Sequence, residues 1–289
     1  MTRLRIRTGL RIVSCALFMA AAMPALAEGK PDSIVSIGGS VTEIIHALGA
    51  GDRLVARDTT SNYPPEVMAL PDVGYMRALS AEGVLSVDPE LIIAEGGAGP
   101  IETIAVLEGA NIPFVTVPDD FSASGIRAKI IAVGKAIGEE ASATALADDL
   151  HRRLTEVQQA SEEKAAQDKK RVLFVLSTQG GRIMASGRNT AAAAMIELAG
   201  AENAVTAFDG YKPLTDEAVI AAAPDAILMM EREGDHDSSV EELLQMPVIA
   251  STPAAKSRAV IRMDGLYLLG FGPRTADAVA DLSRALYGG

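Results

Sequence analysis

Tyr75 and Arg77 stand two residues apart in Gly74-Tyr75-Met76-Arg77, immediately before Leu79-Ser80-Ala81-Glu82. A cation close to a phenol favours the phenolate. A phenolate is a hard anionic ligand suited to ferric iron, and tyrosine serves as an axial ligand of haem. The four residues fall at the end of a strand-to-helix crossover, where open α/β sheets bind ligands. The other reading of the same tyrosine is a side chain that caps a core and leaves its hydroxyl in water.

Little else in the chain has the spacing that catalysis requires. There is no GxxxxGK phosphate loop, no HExxH and no nucleophile elbow, and Gly38-Gly39-Ser40 lacks the spacing of a dinucleotide fingerprint. The three histidines, His46, His151 and His236, are all further than one helical turn apart in sequence, which argues against a clustered zinc or manganese site. A secreted α/β hydrolase would need an acid and a base converging on a nucleophile such as Ser40. No histidine partner for Ser40 is identifiable, so no catalytic residue is assigned.

The elements that must position Tyr75 are written twice. Leu79-Ser80-Ala81-Glu82, Val84 and Pro89-Glu90-Leu91-Ile92-Ile93 match Leu214-Thr215-Asp216-Glu217, Val219 and Pro224-Asp225-Ala226-Ile227-Leu228. Each copy opens on a hydroxyl residue suited to an N-cap, carries an acid in its first turn, and breaks at a proline before a β-rich run. Two copies predict two similar lobes with a cleft between them, a preferred place for a small ligand. Strands 33–37, 54–56 and 114–117 alternate with helices 41–48 and 101–108, and strands 171–176 and 259–262 with helices 190–198 and 273–286. This alternation predicts an α/β fold of two Rossmann-like lobes with mostly parallel sheets. The first lobe takes residues 28–121 and the second 171–289. Between them, 122–170 is rich in helix formers, with apolar residues at Leu146, Leu150, Leu154 and Val157. A helix of about 25 residues there spans roughly 37 Å, enough to bridge two lobes as a stiff backbone.

Residues 1–27 read as a secretory signal peptide, with Arg3, Arg5, Arg7 and Arg11 before an apolar run, Pro24 and the small-x-small site Ala25-Leu26-Ala27. Cleavage after Ala27 removes four arginines and Cys15, leaving 22 basic and 38 acidic residues, a net charge of −16. Such a chain is a poor partner for nucleic acid or anionic membrane. It has no disulfides and no cysteine nucleophile, and its stability rests on its core.

From Ser33 onward the sequence resembles the periplasmic binding proteins that deliver haem to bacterial ABC importers. They belong to a wider class, for haem, siderophores and cobalamin, whose lobes are joined by a long helix. The resemblance rests on Ile34-Val35-Ser36 leading to Thr42-Glu43, on Tyr63-Pro64-Pro65, on Val73-Gly74-Tyr75-Met76-Arg77-Ala78-Leu79-Ser80, on Asp88-Pro89-Glu90-Leu91-Ile92, and on Ala185-Ser186-Gly187-Arg188-Asn189-Thr190. The Gly-Tyr-Met-Arg-x-Leu-Ser run is the part that specifies haem. The resemblance implies a monomeric, non-enzymatic periplasmic carrier of haem b, with Tyr75 as axial ligand of the ferric iron and Arg77 steadying its phenolate. Arg232 would approach the propionates from the second lobe, and Arg188 and Asn189 would line the cleft or form a turn. Some relatives carry a histidine after the first strand of the second lobe, where this chain has Ser177-Thr178-Gln179-Gly180. Two stacked haems are therefore not expected. The class docks to its permease through one acid per lobe, which places Glu102 and Glu217 in that role, although an acid in a first helical turn is also stabilised by the macrodipole alone. An outer-membrane haem receptor would act upstream. A siderophore or corrinoid carrier is the alternative within the same architecture.

Overall fold

The computed structural model describes residues 29–231 and 240–288. The leader, Arg232 and His236 lie outside the described residues. The first lobe runs β1 (Ile34–Ile37), α1 (Gly39–Ala47), β2 (Leu54–Arg57), α2 (Ala81–Leu85), β3 (Leu91–Glu95), α3 (Ile101–Glu108) and β4 (Phe114–Val117). Its strands form an all-parallel sheet in the order β2-β1-β3-β4. Two helices follow, α4 (Ala123–Ile137) and α5 (Glu140–Ala165). The second lobe contains β5 (Arg171–Ser177), β6 (Met184–Ser186), α6 (Ala191–Leu198), β7 (Glu202–Asn203), β8 (Tyr211–Pro213), α7 (Asp216–Ala222) and β9 (Ala226–Glu231). After the gap come α8 (Val240–Gln245), α9 (Pro247–Ala250), α10 (Pro253–Ser257), β10 (Val260–Asp264), α11 (Gly265–Leu269) and α12 (Thr275–Tyr287). Here β7, β5, β9 and β10 are parallel, while β6 and β8 add an antiparallel edge.

The sequence repeat is a structural repeat. Ser80 caps α2 by accepting from the Gly83 amide, and Thr215 caps α7 by accepting from Ala218. Val84 and Val219 are both buried. Asp88 and Ala223, 135 positions apart, both adopt left-handed φ values, 51° and 39°, one residue before a proline. Each turn releases the chain from its helix into the central strand.

The linking segment holds the long helix expected, α5, with a shorter one, α4, before it. Gly138 ends α4 in the left-handed conformation at φ 73°. α5 then runs back along α4, with Gly134 against Ala143 and Arg127 bonded to Asp148. A Cβ on Gly134 would lie 2.1 Å from the Ala143 Cβ, so only glycine permits that approach. α5 has 26 residues, about 39 Å of helix. One apolar cluster passes through all three parts, from Ile34 and Ile45 through Ile130 and Leu150 to Phe174, Leu228 and Leu282. The lobes thus share a core, which opposes hinging.

Candidate functional site

Tyr75 stands on a braced loop. After β2 the chain returns beside that strand, with the Arg57 amide donating to Pro71 O and the Val73 amide to Arg57 O, both at 3.0 Å. Asp72 ties the return together: Oδ2 accepts from Arg57 Nη1 at 2.8 Å, and Oδ1 accepts from the Gly74 amide at 2.8 Å and the Thr59 hydroxyl at 3.1 Å. Gly74 then takes φ +99°, which turns the chain outward. Val73, Met76 and Leu79 are buried in the core beneath β1 and β3, so the residues between them, Tyr75 and Arg77, point away from it. The Ala78 amide donates to Tyr75 O at 2.7 Å, and the Gly99 amide to Met76 O at 2.8 Å. Tyr75 is 46% exposed.

The ionisable groups that feel the charge of this loop come from both lobes. Arg77 forms no hydrogen bond or ion pair with the described residues, yet it lies close enough to Asp119 and Tyr211 to lower the pKa of each. Asp119 follows β4 in the first lobe and Tyr211 opens β8 in the second, so the charge of Arg77 reaches a group in each lobe. The Asp119 carboxyl is pushed above the usual carboxylate range, first by burial and then by the Glu95 charge, with Lys129 and Arg77 opposing. The Tyr211 phenol is pushed up by burial, against which hydrogen bonds to the Ala192 backbone and the Thr190 side chain act. Its ring packs edge-on against Phe174 at 6.2 Å.

Beneath the site, Lys129 of α4 is fully buried. Its Nζ bonds Glu95 Oε1 at the end of β3 and donates to Ser40 Oγ at 3.1 Å, with Asp119 Oδ1 at 4.0 Å. The Ser40 hydroxyl donates to Glu95 Oε1 at 2.7 Å. Ser40 is thus committed to a buried ionic cluster, and among the described residues nothing places a histidine on it. Nearby, Arg274 at the start of α12 clamps the buried Glu43 of α1 with two bonds, Nε to Oε1 at 3.1 Å and Nη2 to Oε2 at 3.0 Å. Its guanidinium lies 3.5 Å from the Tyr63 ring centroid. This clamp crosses from one lobe to the other.

The remaining residues singled out in the sequence are dispersed. Arg188 is held by Asp209 at 3.0 Å and Asn189 is left-handed at φ 57°, so both serve the turn that leads into the Thr190 cap of α6. Glu102 and Glu217 are exposed in the first turns of α3 and α7. The Glu217 carboxyl is held below its usual range by its own backbone amide and the Thr215 hydroxyl. By the repeat Glu217 corresponds to Glu82, not to Glu102. Asp119, Lys129 and Tyr211 were not anticipated. A signal for Tyr211 existed, because Gly210-Tyr211 before Leu214-Thr215 echoes Gly74-Tyr75 before Leu79-Ser80, and Gly210 is also left-handed at φ 79°. A groove of about 660 Å³, lined in part by Phe121, Gln158, Glu162, Lys169 and Glu197, lies apart from these residues and includes none of them.

Two α/β lobes joined by a helical segment over one shared core are the architecture of a solute-binding protein. Residues 34–266 match the periplasmic binding protein family, and the chain belongs to it. Among solved structures, the periplasmic heme-binding protein BhuT in complex with two hemes is 40% identical with a TM-score of 0.83, over 88% of this chain and 97% of that one. Among curated proteins, the uncharacterized ABC transporter substrate-binding lipoprotein YvrC of Bacillus subtilis (strain 168) is 30% identical over 260 residues, 89% of this chain and 81% of that protein. The vitamin B12-binding protein of Pectobacterium atrosepticum is 28% identical over 204 residues, 69% of this chain and 71% of that protein. No helix among the described residues is long and apolar enough to cross a membrane.

Proposed function

We propose that the protein is a periplasmic carrier that takes up one ferric haem through Tyr75 and passes it to an ABC importer. The observation that carries this reading is the exposed Tyr75 on its braced loop with Arg77 two residues on, which has no hydrogen bond or ion pair among the described residues. The phenol coordinates iron, and Arg77 stabilises the phenolate or meets a propionate. Tyr211 and Asp119 bound the cargo from the second and first lobes, and Arg232 is a further propionate partner. A single strong ligand in this chain fits one haem, because the second-lobe segment Ser177–Gly180 offers no imidazole. The mature protein is exported after cleavage at Ala27, works as a monomer and receives its cargo downstream of an outer-membrane receptor. Glu102 and Glu217 face the permease.

Hemin titrated into the purified mature protein is expected to give a high-spin ferric tyrosinate absorption band. Tyr75→Ala abolishes the band, and Arg77→Ala weakens retention about tenfold or more, the scale of one lost charge-assisted contact. An unchanged spectrum in Tyr75→Ala would sink the reading. The corrinoid alternative is favoured by the vitamin B12-binding relative, but that similarity is lower and covers less of the chain than the haem-binding neighbour. Cobalamin added in place of hemin, with a binding isotherm indifferent to Tyr75, is the outcome that would support it.

A further inference from the structure

Beneath the Tyr75 loop two carboxylates share one lysine. The buried Nζ of Lys129 is bonded to Glu95 Oε1 and donates to Ser40 Oγ at 3.1 Å. Asp119 Oδ1 lies 4.0 Å from the same nitrogen, and the Asp119 carboxylate accepts no hydrogen bond among the described residues. The lysine is thus committed to Glu95, and Asp119 is left with little of its charge. The turn between β3 and α3 connects this second carboxylate to Arg77. Gly96 donates its amide to Val117 O at 3.0 Å, and a Cβ on Gly96 would stand 3.1 Å from the Asp119 Cβ. Three residues on, the Gly99 amide donates to Met76 O at 2.8 Å, and Gly99 O accepts from the Leu79 amide at 2.9 Å. One short turn is therefore bonded to the end of β4 on one side and to the stretch that carries Arg77 on the other. Asp119 feels the charge of Arg77, yet the two form no ion pair.

A guanidinium that attracts a fixed carboxylate without pairing to it stays open to a second anion, and the two anions then compete for its charge. We propose that Asp119 sets how strongly Arg77 holds the cargo, as the resident anion against which the anionic oxygens of the haem–phenolate complex compete. The inference rests on the carrier reading above and adds to it the residue that moderates the grip. The charged and titratable groups facing Asp119 are Glu95 at the end of β3, Lys129 of α4, Arg77 on the Tyr75 loop, Asp120 beside it in the chain and Tyr211 of β8 in the second lobe. Of the two cations, only Arg77 has no ion pair among the described residues. Burial first, then Glu95 and Asp120, hold the Asp119 carboxyl above its usual range, while Lys129 and Arg77 oppose them. When the guanidinium serves the cargo, Asp119 keeps less of its countercharge and takes up a proton more readily. Its pKa is then higher with cargo than without, so by linkage the wild-type grip strengthens as pH falls through that interval. Asparagine at this position, neutral at every pH, leaves Arg77 to the cargo throughout.

The test is hemin titration of the full mature protein, followed by the tyrosinate band from pH 5.5 to 8.5, for wild type, Asp119→Asn, Arg77→Ala and the double variant. Circular dichroism at each pH checks that all four are folded. Asp119→Asn is expected to bind hemin about five- to tenfold more tightly than wild type at pH 8.5, the scale of one neighbouring charge near a protein surface. The ratio is expected to narrow toward pH 5.5, where the wild-type carboxyl takes up its proton more readily. In the Arg77→Ala background the same substitution is expected to change affinity less than about twofold, because the residue through which it acts is gone. A merely structural role for Asp119 would instead give one change in both backgrounds and at every pH. A gain that survives the loss of Arg77, or a ratio indifferent to pH, overturns the inference and leaves the haem reading standing. Absence of the tyrosinate band in the wild type removes the haem reading and this inference with it.

Discussion

Asp119 is the residue whose environment makes the sharpest demand. Its carboxyl is raised in the folded protein, so ionising it opposes folding: the contribution is favourable at low pH and is lost as pH rises through the folded value. Asp119→Asn is therefore expected to melt at or above the wild-type temperature at pH 7, with the difference closing as pH falls toward the ordinary aspartate value of about 3.9. Thermal melts of both proteins from pH 3.5 to 8 check this, and a difference independent of pH would contradict it. The charges that face Asp119 also show why it escaped notice in the sequence. Glu95, Lys129 and Arg77 come from three separate elements, and only the folded sheet brings them to one place. Tyr75, by contrast, was legible because the whole device of left-handed glycine, phenol and guanidinium occupies four consecutive residues.

At the scale of elements, the loop from Arg57 to Arg77 is held by one carboxylate and one glycine. Gly74→Ala puts a Cβ on a backbone at φ +99°, at a cost of about 1–2 kcal/mol. Nothing lies within 4 Å of that Cβ, so the strain is conformational and relaxes by moving the loop. Hemin affinity is expected to fall about tenfold or more while the melting temperature shifts by only a few degrees. Isothermal titration beside calorimetry separates the two, and an unchanged affinity would show that the φ of Gly74 does not place the phenol. The α/β alternation was readable because apolar strands bounded by glycine and proline announce themselves locally: α3 and β4 fall on the residues expected for them. The antiparallel β6–β8 edge was not, since strands of three residues carry too little periodicity. The division of the linking segment at Gly138 had its signal in plain view, three glycines among helix formers, yet only the contact of Gly134 with Ala143 reveals that the chain doubles back.

The whole molecule behaves as one body because its apolar cluster ignores the lobe boundary and the Glu43–Arg274 clamp closes over it. Removing Arg274 strands a carboxylate in a buried site, and Arg274→Met is expected to cost about 2–4 kcal/mol. Urea unfolding should remain a single transition with a lower midpoint; two separated transitions would show that the lobes fold independently. The left-handed pair Asp88 and Ala223, together with the two Gly-Tyr dipeptides, implies that the halves descend from one duplicated unit. After fusion only the first half has an arginine two residues past its tyrosine, while the phenol of the second half is tied to the start of a helix. The two halves thus differ where their Gly-Tyr dipeptides stand, an arginine following one phenol and a helix start holding the other.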